Sequence, residues 1–263
     1  MYSENDLKKY FPDREERMAF SKALDSARRT SRYYEASFTD FLDMEKITEF
    51  TERLTYIDGV VIKSFGGKPE SERRIIGFFP DFAEIKEEDF PITPVIISHD
   101  SKFSRKLSHR DYLGSLTGLG IDRRKLGDIV VFEDFAIAFV HRDIADYITA
   151  NLEFVGRTKV SCDVYKGDMD IVSPKDGVTR FITAPSLRLD AVLSASFNVS
   201  RGKATELIKA EIVKVNWKTI TNTSFNLKEN DMISAKGFGR VRISEIKGTT
   251  KKNRISIIIE KFA

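Results

Sequence analysis

Three positively charged side chains in the last third of the chain stand where phosphate chemistry would use them. Arg188 opens the stretch Arg188-Leu189-Asp190-x-x-Leu193, and Arg201 and Lys203 follow Ser200 at the start of the next. Amides at a helix start already favour phosphate oxygens. A guanidinium adds a planar fork and a lysine adds a mobile point charge. Asp190 is placed to orient Arg188 or to cap its helix rather than to touch an anion. Lys209, Lys214 and Lys218 extend the positive face, and Arg240 follows Gly237-Phe238-Gly239. Asn216 and Trp217 sit at a strand end, where the amide could meet a base or a 2′-hydroxyl. The indole is either core or a stacking platform. Lys247, Lys251, Lys252 and Arg254 form a basic hairpin loop, either a second phosphate contact or a solubility device. Upstream, Gly118 and Gly120 precede Arg123-Arg124-Lys125. Either the glycines let backbone approach an anion that the bases neutralise, or they stop a helix and the bases are solvated.

Charge supports a polyanion partner for one part of the chain. Residues 181–263 hold 15 Lys and Arg against 7 Asp and Glu, a net +8, whereas residues 1–180 carry 28 against 33, a net −5. Such asymmetry points to a nucleic-acid-type partner for the basic part.

The tempting catalytic patterns fail on their own geometry. His109-Arg110-Asp111 and His141-Arg142-Asp143 mimic the kinase tripeptide, but Leu116 and Ile148 stand where its Asn belongs. Ser98-His99-Asp100 is contiguous, so neighbouring side chains on a strand would point to opposite faces. Gly202-Lys203-Ala204-Thr205 lacks the glycine and hydroxyl placement of a P-loop. Cys162 lies in an expected strand as a small core residue. One Cys and three His build neither an internal disulfide nor an ordinary cysteine-rich zinc site. No catalytic residue, metal, cofactor or small-molecule substrate is expected.

The chain has 263 residues, 41% hydrophobic and 32% charged, with 20 Phe and 8 Tyr. That is enough apolar area for two or three small domains and argues against disorder. The longest apolar run, Phe135 to Val140, is far short of the roughly 20 residues of a membrane helix. The first residues show no apolar signal region, so a monomer in the reducing cytoplasm is expected.

Periodicity places these residues on elements. Phe20, Ala23, Leu24 and Ala27 mark a helix over Arg14–Arg29, and a second is expected from Thr39-Asp40 to Leu54. Tyr56–Phe65 and Arg73–Phe79 read as two antiparallel strands around a loop with Gly66, Gly67 and Pro69. Then follow a strand at Thr93–Ser98, a helix at His109–Leu119, strands at Asp128–Phe132 and Phe135–His141, a helix at Arg142–Leu152 and a strand at Arg157–Tyr165. That β-α-β-β-α-β order is the ferredoxin-like, RRM-like plan. Its third strand lacks the basic-glycine-aromatic RNP signature, so protein docking or scaffolding is at least as good a use for it as RNA. Residues 166–184 look like a connector. Helices at Leu187–Ser196 and Arg201–Lys209 then precede strands at Ile212–Val215, Met232–Ala235, Val241–Ile246 and Arg254–Glu260. The expected class is α+β, with an N-terminal domain of helices and a β-hairpin (1–88), a ferredoxin-like domain (89–165), a linker (166–180) and a basic domain (181–263).

The ordered series Arg188-Leu189-Asp190, Val199-Ser200-Arg201-x-Lys203-Ala204-x-x-Leu207-Ile208, Val213-x-Val215-Asn216, Leu227-x-x-x-Asp231-x-Ile233-Ser234 and Gly237-Phe238-Gly239-Arg240 resembles the S-four RNA-binding domain. It departs in one place: Asn230-Asp231 stands where the family has Gly-Asp, and Asn also tolerates the left-handed conformation. Arg188-Leu189-Asp190 also echoes the catalytic motif of pseudouridine synthases, but it lies inside the S-four pattern with no catalytic domain to host it. With Thr39-Asp40-Phe41-Leu42 and Leu113-Gly114-x-Leu116-x-Gly118-x-Gly120-Ile121-x-Arg123-Arg124, nearly the whole chain resembles the YlmH family of bacterial cytoplasmic proteins encoded beside cell-division genes. The resemblance implies binding of ribosomal RNA or tRNA at the large ribosomal subunit, in rescue of stalled particles that carry peptidyl-tRNA. Two rivals stay in view: an RNA-modifying enzyme that uses the basic domain for targeting, and a division-linked scaffold.

Overall fold

The computed structural model describes residues 4–54, 57–69, 71–100, 106–167, 178–250 and 253–262. The chain divides into two compact units, Met1–Ser173 and Pro174–Ala263. Helix and strand are mixed in both, an α+β architecture.

The first unit opens with α1 (Glu4–Tyr10) and α2 (Arg14–Tyr33). Asp13 caps α2 by accepting the Glu16 N–H at 2.9 Å. Phe20, Ala23, Leu24 and Ala27 are all buried, as the helical period requires. The helix continues past Arg29 and ends where Tyr34 turns left-handed at φ 58°. The helix expected from Thr39 starts only at Met44. Ser37–Phe38 (β1) and Leu42–Asp43 (β2) are instead extended and pair with β4 (Arg73–Pro80), ahead of α3 (Met44–Leu54). The Thr39 and Phe41 N–H groups donate to Ile76 and Arg124 carbonyls, both at 2.9 Å. Partners from distant segments of the chain override the helical spacing of Phe41 and Leu42. β3 (Val60–Phe65) runs antiparallel to β4 with Phe65 opposite Ile75. Tyr56, part of the expected first strand, lies outside the described residues.

The ferredoxin-like order follows: β5 (Ile92–Ser98), α4 (His109–Gly118), β6 (Leu126–Val131), β7 (Phe135–His141), α5 (Arg142–Asn151), a small hairpin of β8 (Phe154–Val155) and β9 (Thr158–Lys159), and β10 (Ser161–Val164). The expected strand Arg157–Tyr165 is thus divided between that hairpin and β10. The antiparallel sheet has the order β10-β5-β7-β6. Val95, Ile97, Ala136, Ala138 and Val140 pack on its helical side with Tyr112, Leu116, Ala145 and Ile148. Val130, Ile137 and Phe139 point to the other side, where Ile96, Phe132, Phe135 and Tyr165 surround them. That side is also closed by the β3–β4 loop. Gly67 has φ +95°, and a Cβ there would collide with the Phe139 ring. The division expected at residues 88 and 89 falls inside a shared aromatic cluster, since Phe90 lies 5.6–5.7 Å from the rings of Phe38, Phe65 and Phe79.

The second unit is one six-stranded antiparallel sheet with two helices on one face. Its elements are β11 (Val178–Ala184), α6 (Leu189–Phe197), α7 (Arg201–Lys209), β12 (Val213–Val215), β13 (Lys218–Thr219), β14 (Met232–Ala235), β15 (Gly239–Thr249) and β16 (Ile255–Phe262). The order is β11-β16-β15-β14-β12-β13. Leu189, Val192, Leu193, Ala204, Leu207 and Ile208 share one core with Val213, Val215, Ile233, Val241, Ile243, Ile257 and Ile259. Residues 178–184, expected as part of the connector, form edge strand β11, paired along its full length from Val178–Lys261 to Ala184–Ile255. Its mostly exposed sequence hid a period of two whose core-packed members are only Ile182 and Ala184. Of the expected linker, residues 168–177 lie outside the described residues.

Candidate nucleic-acid interface

The helix pair of the second unit builds the most organised cationic feature of its surface. Backbone from a distant loop receives the start of α6: Leu189 N–H donates to Phe225 O at 2.8 Å and Asp190 N–H to Thr223 O at 3.2 Å. Ser200 caps α7 by accepting the Lys203 N–H at 3.1 Å. Between these helix starts lies Asp190, 4% exposed. Arg188 donates to it from Nε and Nη2, both at 3.1 Å. Arg201 donates to its Oδ2 from Nε at 3.1 Å and Nη2 at 3.0 Å. Burial pushes the Asp190 carboxyl up, but the two guanidiniums outweigh it and hold the group below the usual carboxylate range. The arginine side chains themselves are 40% and 53% exposed. One carboxylate therefore fixes two forks whose remaining N–H groups face solvent. A phosphate meeting them finds donors already oriented, which lowers the ordering cost of binding. Asp190 holds Arg188, as their adjacency suggested; its hold on Arg201, eleven residues on, had no local signal.

The other expected contacts do not share one surface. Lys203 is exposed on α7 and reaches Glu206 at 3.1 Å. Lys209 is exposed in the last turn of the same helix. Lys214 alternates with buried Val213 and Val215, so it points away from the helices. It lies opposite Ser234, which in turn lies opposite Arg240, on the sheet face that the helices leave open. Lys218 is exposed just past the β12–β13 turn.

Asn216 and Trp217 form that turn, with φ 48° and 64°. Left-handed angles at both central residues give a two-residue hairpin of type I′. The Asn216 amide braces it: Nδ2 donates to Asp231 at 2.8 Å, and Oδ1 accepts the Met232 N–H at 2.9 Å. Its geometry is that of a turn-holding group, not of an amide aimed at a base. Trp217 is half-buried. Asn230 has φ 69°, the left-handed conformation its side chain tolerates.

The described members of the second set are engaged by groups of their own unit. Arg123 donates to Leu126 O at 2.6 Å, and burial, with Arg73 nearby, pushes its guanidinium down to about 10. Arg124 is clamped on Asp122, whose carboxyl that hydrogen bond brings down to about 2. Lys125 bridges Asp40 at 2.9 Å and Asp143 at 3.0 Å. Burial opposes its charge, but these two carboxylates raise its pKa. Arg254 donates to Thr183 Oγ1 at 3.1 Å and Thr183 O at 2.7 Å, tying β11 to the end of the β15–β16 hairpin. Lys247 lies over the Phe181 ring, 5.8 Å from its centroid. Lys251 and Lys252 lie outside the described residues. Among the described residues no group of His, Cys, Asp and Glu is placed to hold a metal ion. No helix among them is long and apolar enough to cross a membrane.

Residues 86–168 match a family model described as the putative RNA-binding domain in YlmH, and residues 187–233 match the S4 domain. The fold and this pair of domains define a protein of the class that joins an S4 domain to a second RNA-binding domain. The chain is 34% identical over 249 residues to the ribosome-associated protein quality control protein P2 of Bacillus subtilis (strain 168), across 94% of this chain and 96% of that one. It belongs to the YlmH family. A solved structure titled cell division protein ylmH from Streptococcus pneumoniae shares the fold over 61% of this chain and 96% of its own, with TM-score 0.50 and 23% identity.

Proposed function

We propose that this protein is a non-catalytic RNA-binding factor that works on the ribosome. Its second unit engages structured RNA of the large subunit, ribosomal RNA or tRNA, during rescue of stalled particles bearing peptidyl-tRNA. The observation that carries this is the Arg188–Asp190–Arg201 clamp inside the S4 match. A buried carboxylate that orients two exposed guanidiniums is a built anion receptor, not a scatter of surface charge. The net +8 of residues 181–263 and the name of the Bacillus relative support the same conclusion.

The experiment is co-sedimentation of the full chain with ribosomal subunits at rising salt, beside binding to a structured ribosomal RNA fragment. Affinity should fall linearly on a log-log salt plot as counterions are released. Arg201→Ala and Lys203→Ala should each weaken binding and reduce the slope by about one, evenly across RNA sequences. The thermal melt should be unchanged in Lys203→Ala and modestly lowered in Arg201→Ala, where buried Asp190 loses one of its two partners. Wild-type affinity and slope in both variants would move the binding face elsewhere.

A further inference from the structure

We propose that the open face of the C-terminal sheet is a second nucleic-acid surface, which stacks bases of single-stranded RNA on Phe181 and Phe262. The inference rests on the RNA-binding reading above and extends it to a face whose aromatic residues, Phe181 and Phe262, lie outside the S4 match at 187–233.

The face follows from strand alternation. On β11, Ala184 is buried and Ile182 packs on the core, so Phe181 points to the opposite side, where it is 72% exposed. On β16, Ile257 and Ile259 are buried beneath the helices. Ile258, Glu260 and Phe262 therefore share the side of Phe181. Register completes the surface: Lys214, Ser234, Arg240 and Phe262 form one row across four strands, and Met232, Arg242 and Glu260 form the next.

Each aromatic ring has its own cation. Lys247 Nζ lies 5.8 Å from the Phe181 centroid, and Arg242 Cζ lies 5.6 Å from that of Phe262. The face and its flank carry Lys214, Arg240, Arg242 and Lys247 against Glu245 and Glu260, a net +2. Two ion pairs on this face are long, 3.8 Å for Lys247–Glu245 and 3.9 Å for Arg242–Glu260. Ion pairs of this length at a surface are weak enough to exchange for phosphate.

This chemistry fits single-stranded RNA. A protein-docking face gathers apolar residues at its centre and sheds charge there. Here aromatic surface and positive charge are interleaved, which matches the alternation of bases and phosphates along a single strand. From β11 to β12 the sheet spans about 19 Å at the usual strand spacing of roughly 4.8 Å. Sheet platforms of this kind stack about two or three bases. A duplex hides its base faces and would gain only the charges.

The test uses the full chain with a fluorescein-labelled single-stranded oligoribonucleotide of mixed sequence, beside the structured RNA fragment used above. Phe181→Ala should weaken oligonucleotide binding about tenfold, since one stacked base contributes about 1–3 kcal/mol. Its thermal melt should stay that of wild type, because the ring is exposed. Phe181→Trp should restore affinity and Phe181→Leu should not, which separates stacking from apolar contact. Arg201→Ala should weaken the structured RNA far more than the oligonucleotide. If Phe181→Ala or Phe181→Leu binds the oligonucleotide like wild type, the face is not a stacking surface, and an apolar protein partner becomes its better occupant. If the structured RNA still responds to Arg201→Ala in that case, only this inference falls. Indifference of the structured RNA to Arg201 and Lys203 sinks the broader proposal instead.

Discussion

The two large sheets of this protein use their second faces in opposite ways. In the ferredoxin-like sheet the face away from α4 and α5 is closed. Phe139, on a central strand, is 0% exposed and lies against Gly67 of the β3–β4 loop. In the C-terminal sheet the face away from α6 and α7 stays open and carries Phe181 and the cations around it. The charged clusters differ likewise. Arg123, Arg124 and Lys125 hold carbonyls and carboxylates of their own unit. Arg188 and Arg201 are instead presented outward by one buried acid. Two basic clusters that look alike in sequence thus differ in their surroundings, and we assign RNA binding to the second alone. What separates them is where the compensating acids sit.

The largest effect should come from breaking the closed sheet. Gly67→Ala would force a side chain into a left-handed position and into the buried Phe139 ring. Strain and overpacking together should destabilise the protein by about 3 kcal/mol. A chemical denaturation curve of the full chain reads this directly; a wild-type midpoint would mean that the loop does not seal that face.

A smaller loss should follow at the Arg188–Asp190–Arg201 clamp. Asp190→Asn keeps the size of the side chain and removes the charge that orients both guanidiniums. About 1 kcal/mol of stability should be lost at neutral pH, and RNA affinity should fall with it. The Asp190 pKa is depressed in the folded protein. Its contribution is therefore present above the unfolded carboxylate value of about 3.9 and is lost as pH falls through the folded value. The stability gap between wild type and Asp190→Asn should narrow below about pH 4. A gap that stays constant down to pH 2 would show that the clamp contributes no such linkage.

The smallest effect sharpens the contrast from the other side. Arg124→Ala removes an exposed cation already held by Asp122. Stability should change by less than about 0.5 kcal/mol, and affinity for structured RNA should match wild type in the same salt titration. A loss comparable to that of Arg201→Ala would erase the distinction between the two clusters.

Much of the fold was legible because it is locally encoded. The helix at Arg201–Lys209, the strands Phe135–His141 and Met232–Ala235, and the β-α-β-β-α-β order all follow from side-chain period and cap residues. The helix expected from Thr39 was misjudged because β1 and β2 are two residues each and exist only through pairing with β4. Two-residue strands carry no period to read. For the site, residue types located the charges but not their environment. Arg254 looks like Arg201 in sequence; one ties β11 to the hairpin end, and the other is held on Asp190 at the surface.

By itself the sequence determined the α+β class, the basic character of residues 181–263, the helix starts that carry Arg188 and Arg201, and the family resemblance. Only the tertiary structure decided that Asp190 joins those two arginines across eleven residues, that Asn216 braces a turn, that Arg123, Arg124 and Lys125 are engaged by carbonyls and carboxylates of their own unit, and that residues 178–184 complete a sheet whose far face bears Phe181. The reason is physical. Composition and period report what each residue prefers over a few neighbours, whereas an ion pair, a strand register or a covered face depends on which distant segment arrives beside it.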